Sequence, residues 1–111
     1  MGGNVNQGDI YWYKFKEPDK RRPVLILTRN SATSFLGSLT VAPITSTIRD
    51  IPTEVILTEN DGVLTECAVN LDNIQTVQKA KIGAFISHLS FRRMREVRKA
   101  IEFALGFDAL R

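Results

Sequence analysis

The chain has 111 residues, 43% of them hydrophobic and 24% charged, a balance typical of one globular domain spanning residues 1–111 and not of a disordered chain. No apolar run reaches the ~20 residues of a membrane-spanning helix, and the N-terminal residues do not resemble a signal peptide, so we expect a cytoplasmic protein. The single cysteine, Cys67, excludes an intrachain disulfide and a cysteine-rich zinc site, and its position indicates a buried core residue.

The formal net charge of +3 is distributed unevenly along the chain. Residues 1–40 carry +3, residues 41–80 carry −4 and residues 81–111 carry +4. Basic ends around an acidic middle predict a surface with a positive zone, suited to nucleic acid or to an acidic polypeptide. Net charge alone does not choose between these two partners.

The first predicted elements are two antiparallel neighbouring strands. The aromatic-rich segment 10–15 has a high strand preference, and a turn-like segment over residues 16–20 follows. Residues 24–27 form a short apolar run after Pro23, which predicts a strand buried on both faces. A short connection favours pairing of the two strands.

Three cations, Lys20, Arg21 and Arg22, precede that proline directly. Pro23 fixes its own φ and biases Arg22 towards extended backbone, so a guanidinium is held at the mouth of a rigid strand. Such a position is suited to binding a phosphate. The plain alternative is a solvated basic loop.

The later segments alternate between strands and turns. Residues 29–37 form either a loop or a short helical turn capped by Asn30 or Ser31. Strands are predicted over residues 38–44, 53–57, 65–71 and 74–77, and a bent extended segment over residues 79–86. Pro43 interrupts the first of these strands and indicates an edge strand or a bulge.

The one long helix is predicted over residues 90–105, where apolar residues recur at spacings of three and four. Ser90 is the expected N-cap and Gly106 the expected stop. Short strands with a single terminal helix predict a mainly β fold, a small antiparallel barrel or rolled sheet with the C-terminal α-helix packed on it.

Four stretches, taken in order, resemble the MazF/PemK family of toxin–antitoxin ribonucleases. They are Gly8–Trp12, Arg21–Leu27, Val41–Ser46 and Leu71–Val77, the last continued by Lys79–Gly83. The likeness runs from about Gly8 to Gly106. It implies an SH3-like (MazF/CcdB-type) barrel that acts as a homodimer and cleaves single-stranded RNA, including mRNA, at short sequences without a metal ion or other cofactor. It also implies a cognate antitoxin whose acidic, disorder-prone tail covers the RNA site.

Two site residues follow from the resemblance by position. The family's catalytic arginine before the strand proline matches Arg22, and its catalytic hydroxyl after the Pro-containing strand matches Thr45, with Ser46 beside it. The connection before Arg21 is shorter than is usual in the family. The acidic residue that some members contribute there has no secure counterpart, and Glu17 and Asp19 are candidates.

The residue types restrict the chemistry further. Metal-free RNA cleavage uses the 2′-hydroxyl as nucleophile, and a guanidinium fork matches the phosphate oxygens that gain charge. Arginine titrates too high to carry a proton near neutral pH, and His88 is the only histidine, which excludes a histidine pair. Arg22 and Thr45 are therefore predicted to stabilise charge and orient the phosphate, and the proton carrier stays open.

The predicted substrate-binding residues surround this pair and comprise Trp12, Glu17, Lys20, Arg21 and Ser46. The ring of Trp12 is suited to stacking on an unpaired base, although strand aromatics also serve in cores and dimer interfaces. His88, just before the helix cap, is predicted to be a surface or capping residue.

Two other functions stay open from the sequence. One is a CcdB-like toxin that poisons DNA gyrase by protein contact, and the other is a nucleic-acid-binding SH3-like module without activity. The pairing of Arg22 with Thr45 favours the nuclease, because a purely binding protein needs no such pair.

Overall fold

The computed structural model describes residues 4–16 and 20–110, with only the backbone of Lys20. In these ranges the chain forms an antiparallel sheet and a C-terminal helix. The strands are β1 (Asp9–Phe15), β2 (Lys20–Ile26), β3 (Ser38–Thr45), β4 (Glu54–Leu57), β5 (Cys67–Asn70), β6 (Gln75–Gln78) and β7 (Ile82–His88). The helices are α1 (Asn30–Thr33) and α2 (Phe91–Ala104). The mainly β prediction is confirmed.

The strand order is β4-β5-β3-β2-β1-β7, with β6 paired to β3 beside this path. Every pairing is antiparallel, and β1 pairs with β2 as predicted, from Ile10↔Leu25 to Phe15↔Lys20. No pairing within the described ranges joins β4 to β7, so the strands do not close into a complete barrel.

Strand β2 is buried on both faces, as predicted. Val24, Leu25 and Ile26 have no exposed surface. Leu25 packs into one hydrophobic cluster, whereas Val24 and Ile26 pack into a second one. Because successive side chains of a strand point to opposite faces, this division shows that β2 separates two cores and anchors the residues at its start.

Pro43 lies in an interior strand and not in an edge strand, which was one of the two alternatives, edge strand or bulge, that the sequence suggested. On one side β3 pairs with β2, including Val24↔Pro43. On its other side β3 pairs with β6 as far as Val41 and with β5 from Ile44 onwards. Pro43 therefore lies between the part of β3 that pairs with β6 and the part that pairs with β5. On that side of β3 the missing N–H of proline removes no hydrogen bond between strands.

The predicted ends of the long helix are confirmed, and the predicted cap of the short one is wrong. The Ser90 hydroxyl accepts a 3.1 Å hydrogen bond from the amide of Arg93, and Gly106 has a positive φ of 77° after the helix. The Asn30 side chain instead accepts a 2.6 Å bond from the amide of Gln7. None of the helices in the described ranges is long and apolar enough to cross a membrane.

Asp61 connects the sheet region to α2. Its carboxylate accepts hydrogen bonds from Arg93 at 3.0 and 3.1 Å and from the amide of Thr58 at 2.9 Å. Burial raises the pKa of Asp61, but the bonds from Arg93 and Thr58 and the positive charge nearby outweigh burial and lower the pKa overall.

We therefore expect Asp61→Asn to lower the free energy of unfolding by about 1.5–3 kcal/mol at neutral pH, the range for hydrogen bonds to charged groups. A lowered pKa in the folded state means that this stabilisation is complete above the ordinary aspartate value, about pH 4, and is lost as the pH falls below it. Urea unfolding of both proteins between pH 7 and pH 2.5 measures the difference. A difference that is unchanged at acid pH would contradict the ion-pair explanation.

Candidate active site

Arg22 and Thr45 lie at the adjoining ends of β2 and β3. The two strands pair as far as Val24↔Pro43, and Arg22 and Thr45 each lie two residues beyond that last pair. Both residues line the same two clefts. Two side chains that are 23 positions apart in the sequence therefore reach one point of the surface.

Two clefts meet at this pair, one of about 470 Å³ and one of about 360 Å³. Arg22, Ile44 and Thr45 line both clefts, so they form the wall between them. An extended chain that crosses this wall would place one backbone group against Arg22 and Thr45 and one neighbouring group in each cleft.

The two clefts differ in chemistry. The larger cleft has polar side chains, namely Thr47, Arg49, Asn70, Asn73 and Gln75. Apart from Arg21 and Arg22, the lining of the smaller cleft is largely apolar. Its apolar residues include Trp12, Val63, Leu64, Cys67 and Ile86. Amide side chains can pair with the edges of an unstacked base, whereas an apolar wall can accept the face of a base.

The electrostatics of the wall favour an anion. Arg22 is exposed, and no ion pair among the described residues includes it. None of the described residues that line either cleft is acidic. The Thr45 hydroxyl oxygen accepts a 3.1 Å hydrogen bond from the amide of Thr47, which orients Oγ1 and leaves its proton to be donated.

Arg21 and Trp12 pair with each other beside the wall. The Arg21 guanidinium carbon lies 4.6 Å from the centre of the Trp12 ring, a cation–π contact. Both residues line the smaller cleft, as does the exposed Ser46. Arg21 thus occupies one face of the ring that the sequence suggested for base stacking.

The other residues that the sequence singled out include three that are wholly or partly outside the described residues, and also His88 and Cys67. Glu17 and Asp19 lie outside the described residues, as does the side chain of Lys20. His88 is half-exposed, and its Nδ1 lies 2.7 Å from Oδ1 of the buried Asp9, a surface role as predicted. Cys67 is buried as predicted, and burial, together with Asp61 and Glu66, raises the pKa of its thiol.

Sequence reasoning missed the polar residues of the larger cleft. Asn73 and Gln75 fall within a stretch that supported the family resemblance, but nothing in their spacing pointed to the cleft. Arg49 carried a signal, because it is one of only two cations between residues 41 and 80 and follows Thr45 by four positions. The turn between β3 and β4 brings Arg49 to the larger cleft.

The fold and site together define a small antiparallel β protein with a cationic, hydroxyl-bearing groove. The sequence profile described as PemK-like, MazF-like toxin of type II toxin–antitoxin system matches residues 6–105. The chain therefore belongs to the PemK/MazF toxin family.

Individual relatives agree with this assignment. The chain is 36% identical over 100 residues to the "Probable endoribonuclease MazF5" of Mycobacterium tuberculosis, covering 89% of this chain and 91% of that protein. It is 39% identical over 90 residues to "Endoribonuclease MazF3" of the same species, covering 81% and 87%.

Two solved structures share the fold. The first is "Mycobacterium tuberculosis toxin MazF-mt6", with a TM-score of 0.81 and 36% identity over 88% of this chain and 96% of that one. The second, an "Endoribonuclease in complex with its cognate antitoxin from Mycobacterial species", has a TM-score of 0.81 and 26% identity over 92% and 95%.

We expect Thr45→Val to lower the rate of RNA cleavage by about 10- to 100-fold, the range for one hydrogen bond to a charged group. Valine keeps the shape of threonine but cannot donate to a phosphate oxygen, whereas Thr45→Ser keeps the hydroxyl and should stay within a few-fold of the wild type. Single-turnover cleavage of a labelled transcript measures both rates. Equal losses in the two variants would contradict a role for the hydroxyl.

Proposed function

We propose that this protein is the toxin of a type II toxin–antitoxin pair and an endoribonuclease that cleaves single-stranded mRNA at short specific sequences in the cytoplasm. The observation that carries the proposal is the placing of Arg22 and Thr45 on the wall shared by two clefts. Membership of the PemK/MazF family and relatives named as endoribonucleases support it.

In the proposed reaction, the 2′-hydroxyl attacks the adjacent phosphorus, and the bond to the 5′-oxygen of the next nucleotide breaks. The products are a 2′,3′-cyclic phosphate and a 5′-hydroxyl. Arg22 binds two of the phosphate oxygens through its donor fork, and Thr45 donates a hydrogen bond to the same group. No metal ion or other cofactor takes part, because the guanidinium supplies the positive charge.

The proton transfers require groups other than these two. The described lining of the clefts contains no carboxylate, and the connection before β2 carries Glu17 and Asp19. Glu17 and Asp19 are the candidates for the general base. In the balanced reaction the base takes the proton of the 2′-hydroxyl, and a water molecule protonates the leaving 5′-oxygen.

Sequence selectivity comes from the larger cleft in this proposal. Asn73 and Gln75 present amide groups there, and Gln75 already donates a 3.2 Å hydrogen bond to the carbonyl of Asn73. Amide donors and acceptors distinguish base edges, whereas the apolar smaller cleft tolerates any base that fits.

The positive charge at the clefts fits two proposed partners, RNA and an acidic antitoxin. A cognate antitoxin with an acidic, disorder-prone tail would neutralise Arg21, Arg22 and Arg49 and cover the clefts, so that RNA and antitoxin compete. The protein acts as a homodimer in this proposal, as the family resemblance implies. No observation on the clefts favours the gyrase-binding alternative.

The deciding experiment is incubation of the purified protein with a single-stranded mRNA transcript in excess EDTA, followed by identification of the new ends. Cyclic phosphate and 5′-hydroxyl ends at recurring short sequences are the expected result. Intact RNA would contradict the nuclease. Cleavage that stops in EDTA and returns with Mg²⁺ would contradict the metal-free reaction.

A further inference from the structure

Arg49 brings a second guanidinium to the larger cleft from a turn rather than from a strand. It lies between β3 and β4, and its side chain is 55% exposed. Its Nε donates a 3.3 Å hydrogen bond to Oε2 of Glu54, the first residue of β4. Among the described contacts, only the Nε of the Arg49 guanidinium donates a hydrogen bond to the Glu54 side chain. The two terminal NH₂ groups of the guanidinium can therefore bind another anion.

Glu54 is an unusual residue for the start of a strand. Its side chain has no exposed surface, and buried carboxylates are rare unless they are paired. Besides Arg49 Nε, its Oε1 accepts hydrogen bonds from the amides of Arg49 at 3.0 Å and Asp50 at 3.1 Å. A single carboxylate therefore binds both the backbone and the side chain of the turn.

The backbone of this turn shows why it needs such a partner. Asp50 has a φ of 54°, in the left-handed region that non-glycine residues rarely adopt. Its amide is one of the groups that Glu54 accepts. The carboxylate thus stabilises a turn conformation that the chain would otherwise leave, and this conformation carries Arg49 to the cleft.

We propose that Arg49 binds an RNA phosphate next to the one held by Arg22, and that Glu54 is the positioning residue that presents it. This inference rests on the proposed function, because it adds a phosphate contact to the same site. Arg22 and Arg49 line one cleft with Thr45 between them in the sequence. A guanidinium whose Nε is fixed has lost part of its side-chain freedom, so binding phosphate through the terminal groups costs less entropy.

The proposal separates binding from chemistry. Arg49 touches a phosphate that does not react, so its loss should raise KM and leave kcat within about twofold. A phosphate contact to a single strand also contributes about 0.7 to the slope of log affinity against log salt. Arg49→Ala should therefore weaken binding about tenfold and reduce that slope by about 0.7, the effect of one phosphate contact.

The experiment measures binding and cleavage separately in the 111-residue protein. Binding is followed by fluorescence anisotropy with a labelled, uncleavable 2′-O-methyl RNA 20-mer of mixed sequence, between 50 and 300 mM salt (about the range over which such contacts are screened). Cleavage is followed on an mRNA transcript. The variants are Arg49→Ala, Arg49→Lys, Glu54→Gln and the double variant Glu54→Gln/Arg49→Ala.

Arg29→Ala is the matched control, because Arg29 is an exposed arginine beyond the far end of β2 from Arg22. Glu54→Gln keeps an oxygen that can accept the two amide hydrogen bonds, but it presents Arg49 with an NH₂ group or a neutral oxygen instead of a carboxylate. We therefore expect weaker RNA binding with a nearly normal salt slope. Arg49→Lys should restore the slope and only part of the affinity, because lysine is a point charge without a fork.

The double variant decides the positioning role. If Glu54 acts through Arg49, the double variant binds RNA as Arg49→Ala does; additive losses would contradict the positioning role. Arg49→Ala that behaves as Arg29→Ala in affinity and slope would overturn the phosphate contact. Because Arg49→Lys keeps a cation beside the buried Glu54 carboxylate, its reduced affinity and retained salt slope still test the phosphate contact even if Arg49→Ala or Glu54→Gln unfolds. Binding without cleavage by the wild type would contradict the proposed function alone.

Discussion

Arg22→Ala is expected to lower the single-turnover rate of RNA cleavage at saturating protein by about 10²- to 10³-fold, equivalent to about 2.7–4 kcal/mol of transition-state stabilisation. Charge builds up on the phosphate oxygens only as the 2′-oxygen attacks, and the Arg22 guanidinium at the wall between the clefts neutralises that charge. The loss should therefore appear in kcat more than in KM. Rapid mixing with a labelled transcript in EDTA measures it.

Three comparisons make this result specific. Arg22→Lys should retain an intermediate rate, since lysine supplies charge without the bidentate fork. Arg29→Ala removes the same side chain from an exposed position beyond the opposite end of β2 and should cleave normally. The urea midpoint of Arg22→Ala should match the wild type, because Arg22 is exposed. A full rate in Arg22→Ala would refute the catalytic assignment.

The second large effect concerns the strand that carries Arg22. Leu25→Ala is expected to lower the free energy of unfolding by about 2–5 kcal/mol, the range for truncating a buried leucine. Leu25 is completely buried and pairs with Ile10 on one side and Ala42 on the other, so the sheet cannot close around the cavity without moving β1 or β3. Urea unfolding with a shared m-value measures the change.

Leu64→Ala is the matched control for this substitution. The same atoms are removed, but Leu64 is 87% exposed, so its unfolding free energy should stay within about 0.5 kcal/mol of the wild type. Because Leu64 lines the smaller cleft, any change in RNA binding by this variant would report on the cleft and not on folding. Similar losses of stability in the two variants would contradict the described core.

The buried part of β2 and the extent of α2 could be predicted because their signals are local, whereas the start of β2 at Lys20, in a segment predicted to be a turn, could not. The apolar run after Pro23 predicts a doubly buried strand, since every residue in it is apolar and the run is short. The helix shows its 3.6-residue period, with Ser90 before it and Gly106 after it. Pro43 was harder to interpret, because a proline signals a missing donor but not which neighbouring strand would have accepted it.

For the candidate site too, some features could be predicted from the sequence, and others depended on the tertiary structure. The sequence by itself determined Arg22 and Thr45 as candidates through the stretches that resemble the family, together with the class of chemistry that a guanidinium and a hydroxyl allow. The tertiary structure alone decided that the two side chains lie on a wall shared by two clefts, one carrying amide and guanidinium groups and one largely apolar. It alone brought Arg49 to the larger cleft through the buried Glu54. The physical reason is that strand register and the pairing of a buried carboxylate depend on partners distant in the chain, which no local pattern records.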